Sequence, residues 1–406
     1  AFLVGYAHRD ANELEANSRT LRANPREART RAWLAKATLG EAAPLTLGVD
    51  RQQTDTITDV RSLLLAPGRF ANTVAMRAND AARSTRVVLD QRFDDAGPFA
   101  QAEWRLYWRR SAARQRTDEQ RRAAGPRAPA VGLVREFRFE AETVGAEATA
   151  SREFAAAGLE HRLVGGFEVD RSRVEESRDG RQTTLATGAV TNAILGEVFP
   201  LRDFPLSTIV RGGVFLQDRI ARPGSRHAWI PAVRVDHYRL RPDVDALWAE
   251  DNPRTVPVDV TQTSVSPRLG WTYRLGERVT LYGQYTHGFR SPPFEDVNVG
   301  LDLPLFGTRA IPNPNLQPER SDGVEFGLRA ERGRLRGTGS VYYNRYRDFI
   351  QSRVNLGRDA SGTTIFQSRN LDRARIWGAE LAGTWEPGAV GSPLDGVYLR
   401  AAAAWA

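Results

Sequence analysis

Apolar and polar side chains alternate along much of this chain. In Val324–Glu331, Val324, Phe326, Leu328 and Ala330 share one parity, and Glu325, Gly327, Arg329 and Glu331 take the other. In Arg268–Leu275, Leu269, Trp271, Tyr273 and Leu275 alternate with Arg268, Gly270, Thr272 and Arg274. In Arg375–Trp385, Trp377, Ala379, Leu381, Gly383 and Trp385 fall on one side, with Glu380 and Thr384 on the other. A period of two is the signature of strands with one apolar and one wet face. The pattern predicts strands near 1–9, 30–39, 44–53, 84–93, 99–112, 135–154, 159–174, 206–221, 226–240, 259–275, 278–290, 320–331, 335–350, 364–385 and 396–406. No stretch carries a capped helical stripe.

The connections sort by parity. Short links fall near 40–43, 94–98, 155–158, 222–225, 276–277 and 332–334, with a longer exception at 386–395. Long links fall near 10–29, 54–83, 113–134, 175–205, 241–258, 291–319 and 351–363. In an up-and-down meander every second link lies on the same rim. One rim thus carries the tight turns and the other the long loops, as in a bacterial outer-membrane barrel. The expected fold is all-β, a transmembrane antiparallel barrel. A soluble sandwich or propeller also gives many short strands but does not sort its loops this way. Aromatic residues near strand ends, namely Trp104, Trp108, Tyr342, Tyr343, Trp377 and Trp385, are expected at the lipid headgroups.

Composition narrows the chemistry. The 406 residues contain no cysteine, which excludes disulfides, thiolate metal sites and cysteine nucleophiles within them. Net charge is +8, and of 57 basic residues only Lys36 is lysine. The arginines are spread over the whole length, so no nucleic-acid footprint is expected. Arginines at the outer rim are candidates to hold lipopolysaccharide phosphates, with nothing in the sequence to single out which. No Gly-Lys phosphate loop, no His-Glu zinc motif and no Gly-x-Ser-x-Gly elbow occurs. The paired carboxylates Asp94-Asp95 and Glu175-Glu176 are expected in solvated turns or loops. No catalytic residue is assigned.

One segment stands out. Tyr285-Thr286-His287-Gly288-Phe289-Arg290-Ser291-Pro292-Pro293 ends a strand, and its prolines take the chain out of the sheet. Asn313-Pro314-Asn315-Leu316-Gln317-Pro318-Glu319 leads back in. A stiff exit, a long loop and a stiff return make a plausible ligand-touching element. Here the chain resembles the barrel of TonB-dependent outer-membrane receptors, most closely those for heme and hemoglobin. Phe289-Arg290-Ser291-Pro292 is similar to that family's Phe-Arg-Ala-Pro box, and Asn313-Pro314-Asn315-Leu316 matches its Asn-Pro-Asn-Leu box. Val214-Phe215-Leu216-Gln217-Asp218, Val233–Tyr238, Ser266–Gly270 and Ile376–Leu381 are further family-like stretches, in the family's order.

The resemblance implies a 22-stranded barrel in the bacterial outer membrane, of which residues 1–406 supply about fifteen strands. The plug, the TonB box and the last strands are expected outside this sequence, since both ends fall within strand-like runs. It further implies a non-enzymatic importer of an iron source, with heme or a hemoprotein ahead of a ferric siderophore. Its partners would be the TonB–ExbB–ExbD complex, the hemoprotein, outer-membrane lipid and lipopolysaccharide. Heme would be transported cargo rather than a permanent cofactor. An outer-membrane barrel enzyme and a soluble β-rich binding module are the remoter readings.

The implied ligand-binding residues are Phe289, Arg290, Ser291, Pro292, Asn313, Pro314, Asn315 and Leu316. Heme receptors of the family place a histidine between these boxes, whereas residues 294–312 contain none. No metal ligand is assigned. The weak candidates are His8, His237 and His287, which lie toward the long-loop rim. His237 and His287 have the apolar parity, so structural roles are the expectation for them. The wet-face residues Arg234, Asp236, Arg268, Arg274, Glu325 and Arg329 are expected to line the lumen.

Overall fold

A computed structural model describes residues 1–13, 23–253, 255–388 and 391–406. Parts of the 10–29, 241–258 and 386–395 links lie outside the described residues. Fifteen long strands form the wall. They are β1 (Phe2–Asn12), β2 (Arg26–Leu39), β3 (Leu45–Asp59), β4 (Thr73–Ala96), β5 (Phe99–Arg121), β6 (Val131–Ala156), β7 (Leu159–Thr184) and β8 (Leu206–Ala221). There follow β9 (His227–Asp243), β10 (Val260–Arg274), β11 (Val279–Arg290), β12 (Glu319–Arg332), β13 (Leu335–Arg358), β14 (Thr364–Trp385) and β15 (Leu399–Trp405). Each pairs antiparallel with the next in chain order. Among the described residues β1 and β15 do not pair with each other, so the sheet is open.

The tight turns take left-handed backbone. Ala157 and Gly158 have φ of 50° and 75° between β6 and β7, the geometry of a two-residue hairpin. On the opposite rim several strands run further than the alternation predicts. β4 begins at Thr73 rather than near 84, β5 ends at Arg121, and β7 reaches Thr184. Much of the expected loop length is therefore extended hairpin, wet on both faces and so without an alternating apolar face. Two short helices correct the helix-free expectation. α1 (Ala246–Asp251) is capped by Asp245, whose side chain accepts from the Trp248 amide at 3.0 Å, and it buries Trp248. α2 (Phe294–Val297) follows Pro292-Pro293.

The apolar parity faces outward. Val214, Leu216, Val265, Phe326, Val341 and Leu381 are between 48% and 66% exposed. An apolar surface of this extent is stable against lipid tails and not against water. Along β14 it runs from Trp385 to Trp377, about 26 Å of strand at ~3.3 Å per residue. Tyr342 does not join the outer aromatics: it pairs with Gly378 and its ring covers that glycine from inside. Among the described residues, packed apolar cores are confined to the outer mouth. One joins Val174, Ile209, Leu240, Val297, Leu316 and Ile350, and a second joins Val131, Leu133, Ile194, Phe199 and Leu201.

Candidate functional site

The inner wall is a polar ladder. Arg105 meets Glu147 at 2.6 Å, Arg211 meets Asp170 at 2.9 Å, and Arg234 bridges Glu168 and Asp236. Tyr282 and Gln284 donate to Glu325 at 2.8 and 2.6 Å, Arg268 donates to Gln284, and Arg329 lies over the Tyr282 ring. Arg274 donates to the Ser225 carbonyl beside a tight turn. The wet parity read from the sequence is thus the lumenal one.

Above this ladder lies a cavity of about 810 Å³, lined on one side by Tyr107, Asp170, Arg211 and Tyr238. Its other side is the first proline box: Phe289, Arg290, Ser291 and Pro292 all line it, followed by Phe294 and Glu295. The box is held from behind. Pro292 is fully buried, and its carbonyl accepts from the Tyr238 hydroxyl at 3.4 Å. Phe204 meets Phe294 edge to face. The Arg290 side chain is 60% exposed and reaches Glu319 at 3.3 Å. Burial pushes the Glu295 carboxyl up, with the Asp296 charge adding to it.

The second box takes a different position. Leu316 is buried in the mouth core. The Asn313 carboxamide donates to the Ser368 carbonyl at 2.8 Å and accepts from the Asn315 amide, and Pro314 lies within that turn. Gln317 and Asn370 exchange two further bonds at 2.9 Å. These contacts fasten the returning loop to β14. The loop also adds strand Thr308–Ile311 in parallel to Thr364–Gln367. Asp296, 6% exposed, accepts from Ser352 and Ser368 at 3.0 and 2.6 Å and ties α2 to the same strands. So the structure brings the first four candidate residues to the cavity and places the second four as its anchor.

The three candidate histidines are bonded to neighbours on the wall. His8 bonds to Asp10 at 2.9 Å, His237 to Thr263 at 3.1 Å, and His287 to Asp322 at 2.9 Å. His237 and His287 have the outward parity of their strands and also border the cavity, and no group of three or more His, Asp or Glu suited to a metal ion occurs among the described residues.

Two buried charge clusters escaped the sequence reading. The first unites the loops over the cavity. Arg178 bridges Glu197 at 2.6 Å and Asp203 at 3.0 Å, while Arg202 meets Asp245 at 3.0 Å. Glu176 is fully buried there, against the expectation of a solvated carboxylate pair; its neighbour Glu175 remains 59% exposed. Glu176 Oε2 accepts from the Asp203 amide at 2.9 Å and Oε1 has no partner. Burial, reinforced by the Asp203 charge, pushes the Glu176 carboxyl up to about 7. Burial likewise pushes Asp251 up to about 6 and raises Asp203. The signal was parity: Glu176 shares it with Val174, and both turn inward on a strand longer than expected.

In the second cluster, Glu119 accepts from Thr73 at 2.6 Å and Arg121 at 2.8 Å, with Arg135 at 3.4 Å. Burial works to raise the Glu119 carboxyl, but these donors and charges outweigh it and hold it below its ordinary range.

Residues 22–405 match the family described as TonB dependent receptor-like, beta-barrel. The chain belongs to that family. Its wall is therefore an outer-membrane barrel wall, and no helix in the described residues is long and apolar enough to cross a membrane. Among curated relatives, it is 27% identical over 158 residues to a probable hemoglobin and hemoglobin-haptoglobin-binding protein of Haemophilus influenzae, covering 36% of this chain and 16% of that one. It is 26% identical over 208 residues to a hemin receptor of Yersinia enterocolitica, covering 45% and 28%. The chain spans under a third of the length of these relatives. The solved copper transporter OprC superposes with a TM-score of 0.66 at 14% identity, over 95% of this chain and 54% of that one, a likeness of fold alone.

Proposed function

We propose that the chain is the wall of an importer that takes up heme, free or drawn from a hemoprotein. The observation that carries this reading is the set of relatives named for hemin and hemoglobin. The cavity supports it. A flat apolar macrocycle with two carboxylates suits a space that sets Pro292 and Phe294 beside the guanidinium of Arg290. Tyr107 and Asp170 line the facing wall. In this scheme the first box touches the cargo and the second holds the loop that carries it. The lumenal charges face a plug supplied by the rest of the receptor, which TonB, energised through ExbB–ExbD, displaces.

The test uses the full-length receptor. Heme is titrated into it in detergent while the Soret band is followed, and growth on heme as the sole iron source is measured in parallel. A Soret shift with heme-dependent growth is expected, and Arg290→Gln should weaken binding about tenfold, the loss of one charge-assisted hydrogen bond. Growth on ferric siderophore alone, with no Soret change, overturns the reading.

A further inference from the structure

Three arginines gather around one carboxylate at the tips of β4, β5 and β6. Glu119 and Arg121 lie two residues apart on one face of β5. Thr73 pairs with Arg121, Leu133 with Glu119 and Arg135 with Thr117, so all of them share that face. Leu133 is 1% exposed and packs with Ile194 and Phe199, which turns the face inward and away from lipid. The short turn Gly68–Phe70, just before β4, brings in Arg69, whose guanidinium rests 4.4 Å from the centre of the Phe70 ring.

The charges do not balance. Glu119 already accepts from Thr73, Arg121 and Arg135. One carboxylate thus meets three guanidiniums, a surplus of two positive charges. Glu197 also acts on Arg135, but it is bonded to Arg178 at 2.6 Å. Burial holds the Arg69 and Arg135 guanidiniums below their ordinary range, and the Arg121 charge works in the same direction against the pull of Glu119. Arg69 Nε, Arg121 Nη2 and Arg135 Nε are buried and have no hydrogen-bond acceptor. Buried donors without acceptors and a net buried charge both cost free energy. β4, β5 and β6 are each paired on both sides, so this surplus is not one that a flanking strand would answer. Arg121 and Arg135 keep side-chain exposures of 17% and 25%, so the cluster retains an opening to solvent.

We propose that Arg69, Arg121 and Arg135 form a site for a free divalent oxyanion, inorganic phosphate or sulfate, and that the ion fastens the 60–72 loop to the strand tips. A dianion cancels the surplus and supplies acceptors to all three orphaned donors, and guanidinium forks match its oxygens. Donors this enclosed admit a small ion and exclude the phosphate of a bulky ester. The site rests on these residues and not on the identity of the cargo.

The experiment follows amide hydrogen exchange of the full-length receptor in uncharged detergent at fixed ionic strength. The probes are Leu65, which donates to the Thr73 carbonyl at 3.0 Å, and Ala71, which donates to the Gly68 carbonyl at 3.2 Å. Sodium phosphate, sodium sulfate, sodium chloride and phenyl phosphate are titrated in turn. Phosphate and sulfate should raise protection saturably, about tenfold at ten times the half-saturating concentration. Chloride should not raise it, and phenyl phosphate should bind at least tenfold more weakly than phosphate. Arg69→Gln and Arg135→Gln should each weaken phosphate binding about tenfold or more, the loss of a charge-assisted hydrogen bond. Arg69→Gln should also be no less protected than the native receptor in the absence of phosphate and sulfate, since it removes an unpaired charge. Arg61→Gln alters an exposed arginine of the same loop that is paired with Asp59, and should bind phosphate as the native receptor does. Heat-modifiable migration on a gel confirms that each variant has formed its barrel, and Arg69, in a loop outside the wall, is the variant least able to prevent this. The proposal is overturned by protection that does not saturate, by an equal effect of chloride or phenyl phosphate, by undiminished binding in Arg69→Gln, or by an equal loss in Arg61→Gln.

Discussion

Glu176 offers a direct test of how the loops over the cavity are held. Its carboxyl is fully buried, with one oxygen unpartnered, and is pushed from 4.5 up to about 7. Ionising it in the folded mouth costs about 3 kcal/mol relative to the open state. The folded value lies above the unfolded one. The stability from this group is therefore fully present below 4.5 and lost as pH rises through about 7. Between pH 5 and pH 8 the mouth should loosen at this point. The readout is amide hydrogen exchange at Arg178 and Leu201, whose backbones bridge at 2.9 and 2.8 Å beside Glu176. After correction for intrinsic exchange, protection should fall by about two orders of magnitude from pH 5 to pH 8. Glu176→Gln keeps the acceptor for the Asp203 amide without the charge. It should hold the pH 5 protection at pH 8 and match the native chain at pH 5. Unchanged native protection across this range, or weaker protection of the Gln variant at pH 8, refutes the argument.

Three further outcomes follow from the packing. Leu240→Ala, at a fully buried position of the mouth core, should lower stability of the loop cluster by about 2–5 kcal/mol, read by exchange in β8 and β9, with barrel assembly retained. Glu119→Gln leaves Arg121 and Arg135 without their buried carboxylate and should cost about 3–5 kcal/mol, read as increased protease cleavage at the tips of β4 and β5. Because its carboxyl is held below the ordinary value, the native contribution of Glu119 is present above 4.5 and lost as pH falls through the depressed value, opposite in sign to Glu176. Gly166→Ala would drive a Cβ into the Ala148 carbonyl oxygen, and the backbone shift between β6 and β7 should cost about 1–3 kcal/mol in denaturant melts of the refolded receptor.

The wall was legible because lipid and lumen impose a strict period of two. All fifteen strands, the long and short rims, and the lumenal face of Arg234, Asp236, Arg268, Glu325 and Arg329 follow from that alternation. The strand ends were not legible. Beyond the membrane both faces of β4, β5 and β7 are wet, so charged residues such as Glu175 and Arg181 look like loop while the backbone stays paired. The same loss of contrast hid Glu176. α1 is too short to establish a helical period, and Asp245 immediately before Ala246 is a weak mark by itself. Tyr342 was misjudged because two adjacent tyrosines cannot both face lipid in a strand; its partner Gly378 makes room for it inside. The two proline boxes were visible as motifs. Their unequal roles, one at the cavity and one in the anchor, depend on pairings with Ser368 and Asn370 that lie more than fifty residues away in the chain.

The two small apolar clusters under the mouth have a consequence for the order of assembly. Val174, Leu240, Leu316 and Ile350 come from distant hairpins and meet only when those hairpins already stand side by side. The greasy outer belt that drives insertion into lipid shares no residue with this cluster, so insertion is expected to precede its packing. The loop cluster over the cavity is thus the last part to set, and lesions there should yield barrels that reach the membrane in normal amounts yet arrive with an unfinished entrance.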